Sequence, residues 1–141
     1  MISSLKKLAA LAVAMTMTAI PAVAADSIAG TWYTDGKRAV VKIGKCGDTV
    51  CGKISRFIEK PKDGVTTDIN NPDPELRKRP LLGLAVLSGF TLDGDIWRGE
   101  IYNPETGKSY RSVVERTGKD KLKVQGCISL FCRTQRWTLV R

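Results

Sequence analysis

Four cysteines are the residues whose spacing first suggests chemistry. They form two pairs with four residues between the partners, Cys46 with Cys51 and Cys127 with Cys132, and each pair flanks a turn-like stretch. Four cysteines allow three disulfide connectivities. Facing positions of a hairpin lie near the Cα separation of about 5.5 Å that a disulfide requires. We therefore expect two local disulfides, rather than bridges between the hairpins or a zinc site built from all four cysteines.

The remaining polar residues give little support for catalysis. The chain has no histidine, which removes the usual general base, the Ser-His-Asp triad and the commonest metal ligand. Asp68 with Asp73 or Glu75 would be the candidates for a paired-carboxylate hydrolase. These acids are better suited to helix capping and to ion pairs with Arg77 or Arg79. We expect no enzyme activity, no catalytic residue, no cofactor and no metal site.

Residues 1–24 have the pattern of a secretory signal peptide. Lys6 and Lys7 precede an apolar run over residues 8–20, and residues 22–24 read Ala-Val-Ala, an A-x-A cleavage site. The run is too short for a membrane-spanning helix. We expect cleavage after Ala24, export to the periplasm, and a single mature domain over residues 25–141 without a membrane span.

The charge of the mature region favours anionic partners. Loss of Lys6 and Lys7 with the leader lowers the formal net charge from +9 to +7. Positive charge attracts nucleic acid, anionic lipid or acidic polymers. The charges are scattered along the chain rather than gathered in one block, and export makes nucleic acid a poor fit. We expect no nucleic-acid partner.

Alternating apolar and polar residues indicate about eight short strands. On the clearest one, Leu122 and Val124 alternate with Lys121 and Lys123. Many short strands joined by tight turns predict an all-β, antiparallel up-and-down barrel, lipocalin-like, with a two-sheet β-sandwich as the alternative. In a lipocalin-like barrel, the Trp of Gly-x-Trp at residues 30–32 would lie at the barrel floor under a late arginine, Arg136 or Arg141.

The segment over residues 68–84 interrupts the strand pattern. Asn71 can cap a helix, Pro72 suits its first position, and Pro80 prevents its continuation. A helix of about two turns is predicted, followed by an apolar run that packs on the barrel. Two roles stay open for this segment: a connector or lid between strands, or a helix that closes a binding site.

Four stretches of the chain resemble a known family. They read G-T-W-Y-T-D-G-K-R-A-V-V-K-I at 30–43, C-G-D-T-V-C-G-K-I at 46–54, N-N-P-D-P-E-L-R-K-R-P-L-L-G-L at 70–84 and I-Y-N-P-E-T-G-K-S-Y at 101–110. The chain resembles domain-of-unknown-function family 2147, a widespread family of small exported bacterial proteins. The resemblance covers nearly the whole mature chain and implies no established reaction.

Ligand binding is the expected function. A barrel mouth can bury a small apolar or amphipathic ligand and fix its acidic head with a few polar groups. The candidate ligand-binding residues are Trp32, Arg77, Arg79, Trp97, Tyr110, Arg111 and Arg136, with Val41, Ile54 and Val124 as further apolar liners. The alternative is an envelope protein-interaction module or hydrolase inhibitor that uses residues 68–80 as a wedge. A monomer is expected in both cases.

Overall fold

The computed structural model of the chain describes residues 10–19 and 27–141. The predicted cleavage site at residues 22–24 lies outside the described residues, and residues 10–19 form neither a helix nor a strand. In the described part of the chain, no helix is long and apolar enough to cross a membrane.

Eight β-strands in residues 27–141 form a closed antiparallel barrel. Each strand pairs with the next in sequence, and β8 returns to pair with β1. The bounds are β1 Gly30–Tyr33, β2 Ala39–Cys46, β3 Thr49–Phe57, β4 Ala85–Asp93, β5 Ile96–Asn103, β6 Lys108–Gly118, β7 Lys121–Ile128 and β8 Phe131–Leu139. The predicted up-and-down barrel is confirmed, and the two-sheet sandwich is wrong.

The two ends of the barrel carry connections of different length. We call the end with the short β2–β3, β4–β5 and β6–β7 turns the floor. The opposite end, which we call the mouth, carries the β1–β2 loop, the connection over residues 58–84, the β5–β6 loop and the β7–β8 turn. Because binding sites are commonly built from loops on a rigid scaffold, a site is expected at the mouth.

Apolar side chains fill the barrel through the period-two alternation of its strands. On β7, Leu122 and Val124 are buried, whereas Lys121 is exposed. The buried core cluster consists of Ile28, Trp32, Val41, Ile43, Ile54, Val86, Leu87, Phe90, Val114, Leu122, Val124 and Trp137. Four of the predicted ligand-lining residues therefore belong to the packed core: Trp32, Val41, Ile54 and Val124.

The predicted two-turn helix is wrong, because the segment forms only a single 3-10 turn, Pro74–Leu76. Asp73 caps this turn: its Oδ1 accepts a hydrogen bond from the N–H of Glu75 at 3.0 Å. Asn71 is not the cap, since its amide donates to Asp68 at 2.9 Å and its Oδ1 accepts from the N–H of Asp73 at 2.9 Å. These bonds set the backbone before a helix can begin.

Both predicted local disulfides are present, Cys46–Cys51 and Cys127–Cys132. The first closes the β2–β3 hairpin at the floor, and the second closes the β7–β8 hairpin at the mouth. All four cysteines lie in the described chain and none is free. Bridges between the hairpins and a four-cysteine zinc site are thereby excluded.

Candidate functional site

Trp32 closes the floor of the barrel. Its ring is fully buried, and its Nε1 donates a hydrogen bond to the carbonyl of Ile28 at 3.0 Å. The guanidinium of Arg116 lies 5.3 Å from the centre of the indole ring, within the range of a cation–π contact. Arg116 also donates to the carbonyls of Ser27 at 2.8 Å and Lys119 at 2.7 Å. The floor is thus sealed by an aromatic ring under an arginine.

The covering arginine comes from β6 and not from the end of the chain, so the prediction of Arg136 or Arg141 is wrong. Arg136 is exposed because it alternates with the buried Trp137, and its backbone N–H donates to Asp35 at 3.2 Å. Arg141 instead forms an ion pair with Asp120. The floor therefore has the expected arginine over the Trp32 ring, but this arginine is Arg116 of β6.

A cleft of about 670 Å³ lies at the mouth. It extends from the start of β2 and the end of β3, across the connection over residues 58–84, to the β5–β6 loop and the start of β8. The lining residues are Thr34, Arg38, Ala39, Phe57, Glu59, Lys60, Pro61, Lys62, Asp63, Val65, Asn70, Leu81, Asn103, Pro104, Glu105 and Arg133. Its volume falls within the range of about 300–1,000 Å³ that is common for small-molecule sites.

The cleft has an apolar base where it meets the core. Phe57 is half-buried and packs against the core cluster, and Leu81 is buried. The backbone N–H of Leu81 donates to the carbonyl of Thr66 at 3.0 Å, which ties the two ends of the connection together beside the cleft. The base is therefore rigid, because the core holds one side of it and a backbone hydrogen bond holds the other.

The charged rim of the cleft is only partly neutralised. Arg38 is paired, with Glu105 at 3.1 Å and with Glu59 at 3.6 Å. Within residues 27–141, the three remaining basic side chains of the cleft have no acidic partner within 4.0 Å, namely Lys60, Lys62 and Arg133. Asp63 also lines the cleft and, within the same residues, has no basic partner within 4.0 Å, so four basic and three acidic lining side chains leave a net charge of +1. An excess of positive charge beside an apolar base suits an amphipathic anion.

Arg133 faces the barrel axis at this rim. On β8 it shares the inward face with Gln135 and Trp137, because strand side chains alternate. Its partner on β7 is Gly126, where a Cβ would lie 3.3 Å from the Ile101 side chain and 3.8 Å from that of Tyr110. Arg133 is therefore exposed at the mouth, above an interior that these two side chains fill.

A buried aspartate fixes the 68–80 segment to the outer wall of the barrel. Asp68 is fully buried and accepts hydrogen bonds from the Tyr102 hydroxyl at 2.6 Å and from the Asn71 amide at 2.9 Å. Arg79 completes the set with Nε at 2.9 Å and Nη2 at 2.8 Å from the same carboxylate. Since Tyr102 belongs to β5, these bonds hold the segment beside the mouth as neither a free wedge nor a lid across it.

This network changes the acidity of two of its members. Burial by itself raises the pKa of Asp68, but the hydrogen bonds from Tyr102, Asn71 and Arg79 and the charge of Arg79 outweigh it and lower that pKa below its ordinary value of 3.8. Burial, together with the hydrogen bond to Asp68 and its charge, raises the pKa of Tyr102 to about 12. Asp68 is therefore an anion and Tyr102 a neutral donor across the physiological range.

A second set of contacts ties the same segment to the β5–β6 loop. The side-chain amide of Asn70 donates to the carbonyls of Pro104 at 3.2 Å and Glu105 at 3.1 Å. Gly107 has a φ of +68°, and a Cβ built there would lie 1.8 Å from the carbonyl oxygen of Asn70. Only glycine fits this approach, so the loop and the segment form one wall of the cleft.

A family model described as "Uncharacterized protein conserved in bacteria (DUF2147)" matches residues 30–139. The chain belongs to this family. The resemblance found in the sequence motifs is thereby confirmed, and the matched region includes the asparagine- and proline-rich stretch at residues 70–84, in the segment held by Asp68.

The fold is shared with a solved structure. The chain is similar to HP1028 from the human pathogen Helicobacter pylori, a protein described as belonging to the lipocalin family. The TM-score is 0.72 and the sequence identity 20%, over 82% of this chain and 84% of that chain. At this identity the likeness shows the lipocalin-like fold alone. No curated protein matches the chain.

The structure does not bring the seven predicted ligand-binding residues together at the mouth. Trp32 lies at the floor, and Trp97 on β5 packs against the core. Arg111 is exposed and points outward, where it donates to the carbonyl of Ser129 at 2.6 Å. Tyr110 is half-buried on the inward face of β6, beside Gly126. None of these residues lines the mouth cleft.

The two arginines of the central segment serve the segment itself. Arg77 donates from Nε to the carbonyl of Asn71 at 2.7 Å. Arg79 holds Asp68 and lies 5.9 Å from the centre of the Tyr102 ring. Arg79 and Tyr102 also line a shallower cleft of about 470 Å³ on the outer wall. Neither arginine covers the opening.

Sequence reasoning missed Arg133 although a signal for it was present. Trp137 is the apolar anchor of the last strand, and period-two alternation places Gln135 and Arg133 on the same face as Trp137. Arg136 has the opposite parity, so it faces away. Lys60 and Lys62 carry no comparable pattern, because the connection that holds them has no regular period.

In the described part of the chain, no three His, Cys, Asp or Glu side chains are grouped so that they could hold a metal ion.

Proposed function

We propose that this protein binds a small amphipathic anion in the mouth cleft. The observation that carries the proposal is the pairing of a rigid apolar base, formed by Phe57 and Leu81, with the unpaired guanidinium of Arg133 in one cleft. An apolar surface takes the tail of such a ligand, and a planar guanidinium binds a carboxylate or phosphate through two parallel hydrogen bonds.

The ligand is expected to lie at the mouth and not deep in the barrel. Val114, Val124 and Trp137 are almost completely buried in the interior, and the ring of Phe90 occupies the space opposite Gly99. A molecule that entered the interior would have to displace this core. The proposed ligand class is therefore a short-chain or partly exposed acid, bound by its head and the first part of its tail.

We also propose that the protein acts after export to the periplasm and without catalysis. The leader pattern of residues 1–24 supports export, and two disulfides suit an oxidising compartment. The lack of histidine in the chain supports binding as the activity. Mass measurement of the secreted chain tests the first part, since cleavage after Ala24 fixes the mature mass.

Calorimetric titration of the oxidised chain with dodecanoate, dodecyl phosphate and dodecanol tests the binding proposal. The two acids are expected to bind and the alcohol to bind at least tenfold more weakly. Arg133→Gln should weaken binding of the acids by about 1.5–3 kcal/mol, the range for a hydrogen bond to a charged group. Arg136→Gln is the matched control, because it removes the same charge three residues away on the outer face of β8.

Two results would contradict this proposal. One is an equal effect of Arg133→Gln and Arg136→Gln, which would make the effect one of net charge alone. The other is equal affinity for the alcohol and the acids, which would remove the role of the cationic rim. Native mass spectrometry of the chain purified without reduction adds an independent measurement, since a bound acid adds its own mass to the spectrum.

A further inference from the structure

The tip of the β7–β8 hairpin exposes three large apolar side chains. Ile128 is 65% exposed, Leu130 93% and Phe131 84%. They stand together on one two-residue turn, in which Ile128 pairs with Phe131 and the turn residues are Ser129 and Leu130. A contiguous apolar protrusion of this kind in a soluble domain marks a surface that meets another apolar phase.

The tip is held in this shape. The Cys127–Cys132 disulfide closes its base, and the guanidinium of Arg111 donates to the carbonyl of Ser129 at 2.6 Å. Leu130 and Phe131 therefore cannot fold back onto the barrel to hide their apolar surface. A preordered contact surface loses little conformational freedom on binding.

Basic side chains flank the base of the tip. Arg111 pairs with Cys127 in the sheet, and Arg133 follows Cys132 directly. Leu130 is three residues beyond Cys127, which at the strand rise of about 3.4 Å per residue places it about 10 Å further out. Side chains inserted 5–10 Å into a bilayer reach the boundary between headgroups and acyl chains, and the guanidinium of Arg111, which lies against the Ser129 carbonyl just behind the tip, would then lie among the lipid headgroups.

We infer that the hairpin tip over residues 128–131 is a docking surface for an anionic lipid bilayer. Leu130, Phe131 and Ile128 enter the interface, and Arg111, on the outer face beside the tip, pairs with phosphates. The net positive charge of the chain adds attraction to an anionic surface. Docking in this orientation points the mouth toward the membrane. The docking inference is based on the exposed tip and is independent of the ligand proposed for the cleft.

Vesicle flotation tests the docking. It uses residues 25–141, which contain the whole barrel and lack the apolar leader, with vesicles of phosphatidylethanolamine and phosphatidylglycerol. Leu130→Ser with Phe131→Ser should weaken binding by about a hundredfold, since each apolar side chain contributes about tenfold when it is buried. Leu92→Ser is the matched control, because Leu92 is 48% exposed at the opposite end of the barrel, and it should float like the unmodified chain.

Two further variants test the contributions of charge and of insertion. Arg111→Gln should weaken binding to the anionic vesicles by at least about fivefold, because it removes one basic residue near the charged surface and also the hydrogen bond to the Ser129 carbonyl that holds the tip. The indole introduced by Phe131→Trp should be quenched by lipids brominated on their acyl chains. Both expected results support the docking.

Three outcomes would overturn the inference. The first is that the chain does not float with anionic vesicles. The second is that the double variant, Leu130→Ser with Phe131→Ser, floats as well as the Leu92→Ser control. The third is a concentration-dependent dimer of the unmodified chain, lost in the double variant and unaffected by vesicles, which would make the tip a surface for a second copy. Because the tip side chains are exposed, these substitutions are expected to leave the fold intact, which circular dichroism and the oxidised mass check.

Discussion

The substitution Asp68→Asn is the sharpest test of how the central segment is held. Asp68 is fully buried and accepts from three donors, Tyr102 at 2.6 Å, Asn71 at 2.9 Å and Arg79 through two nitrogens at 2.8 and 2.9 Å. Asparagine has the same shape, but it removes the charge and presents an NH₂ group to groups that are themselves donors. At least one of the surrounding donors is then left without an acceptor.

The expected loss of unfolding free energy is about 2–3 kcal/mol. A hydrogen bond to a charged group contributes about 1.5–3 kcal/mol, but the three contributions do not add. Arg79 is 38% exposed, so it recovers hydration when it loses its partner, and the asparagine carbonyl still accepts one bond. Tyr102→Phe is the matched control: it removes one donor and keeps the carboxylate with its other donors, so it should cost about 1.5–2 kcal/mol.

Urea unfolding of the oxidised chain at several pH values measures both losses. Because the folded pKa of Asp68 is lowered, its stabilisation is present above the ordinary pKa of 3.8 and disappears as the pH falls through the lower, folded value. The difference in stability between the unmodified and Asp68→Asn chains should therefore begin to shrink below about pH 4 and should vanish only once the pH is below the folded pKa of Asp68.

Tyrosine absorbance gives a second readout at alkaline pH. The raised pKa of Tyr102, about 12 against an ordinary 10.0, contributes stability that is present below pH 10 and lost as the pH rises through the folded pKa. Asp68→Asn should return this pKa toward 10.0. A stability difference under about 0.5 kcal/mol at neutral pH, together with an unchanged Tyr102 titration, would refute the idea that Asp68 holds the segment.

Three further predictions concern a glycine, a buried serine and a disulfide. Gly107→Ala should lower the stability by about 2 kcal/mol or more in thermal unfolding, since its Cβ would overlap the Asn70 carbonyl at a positive φ; Gly118→Ala, with open space around it, should change little. Ser112→Ala should raise the free energy of unfolding by about 1 kcal/mol and with it the melting temperature, because the buried Ser112 hydroxyl has no partner in the described chain. A lower melting temperature would contradict this. Replacing Cys127 and Cys132 by serine should cost about 2 kcal/mol in urea unfolding, the value for a six-residue loop, and an unchanged midpoint would contradict it.

The strands were predictable because their signals are local. Alternation on β7 indicates which of its faces is buried, and turn residues mark where the strands end. A meander of about eight strands has few alternatives to a closed barrel. The cysteine pairs were predictable for the same reason, since each lies on one hairpin. These features depend on neighbours in sequence.

The central segment and the site depend on distant residues. Asn71 and Pro72 are residues that commonly start a helix. In the structure, however, the Asn71 side chain is hydrogen-bonded to Asp68, and Asp68 is hydrogen-bonded to Tyr102, more than 30 positions away in the sequence. Helix propensities do not include this competition, because they depend only on residues that are near in sequence. Arg133 differs from these cases, because parity with Trp137 alone would have placed it inside the barrel.

The seam between β1 and β8 has a consequence for the order of folding. Only two residue pairs join these strands, Trp32 with Leu139 and Tyr33 with Thr138, whereas β2 and β3 share eight. The seam also joins positions more than 100 residues apart, so its closure requires the largest loss of chain entropy in the barrel. We expect the hairpins to form first and this junction last, and the same junction to exchange its amide hydrogens first in the native state.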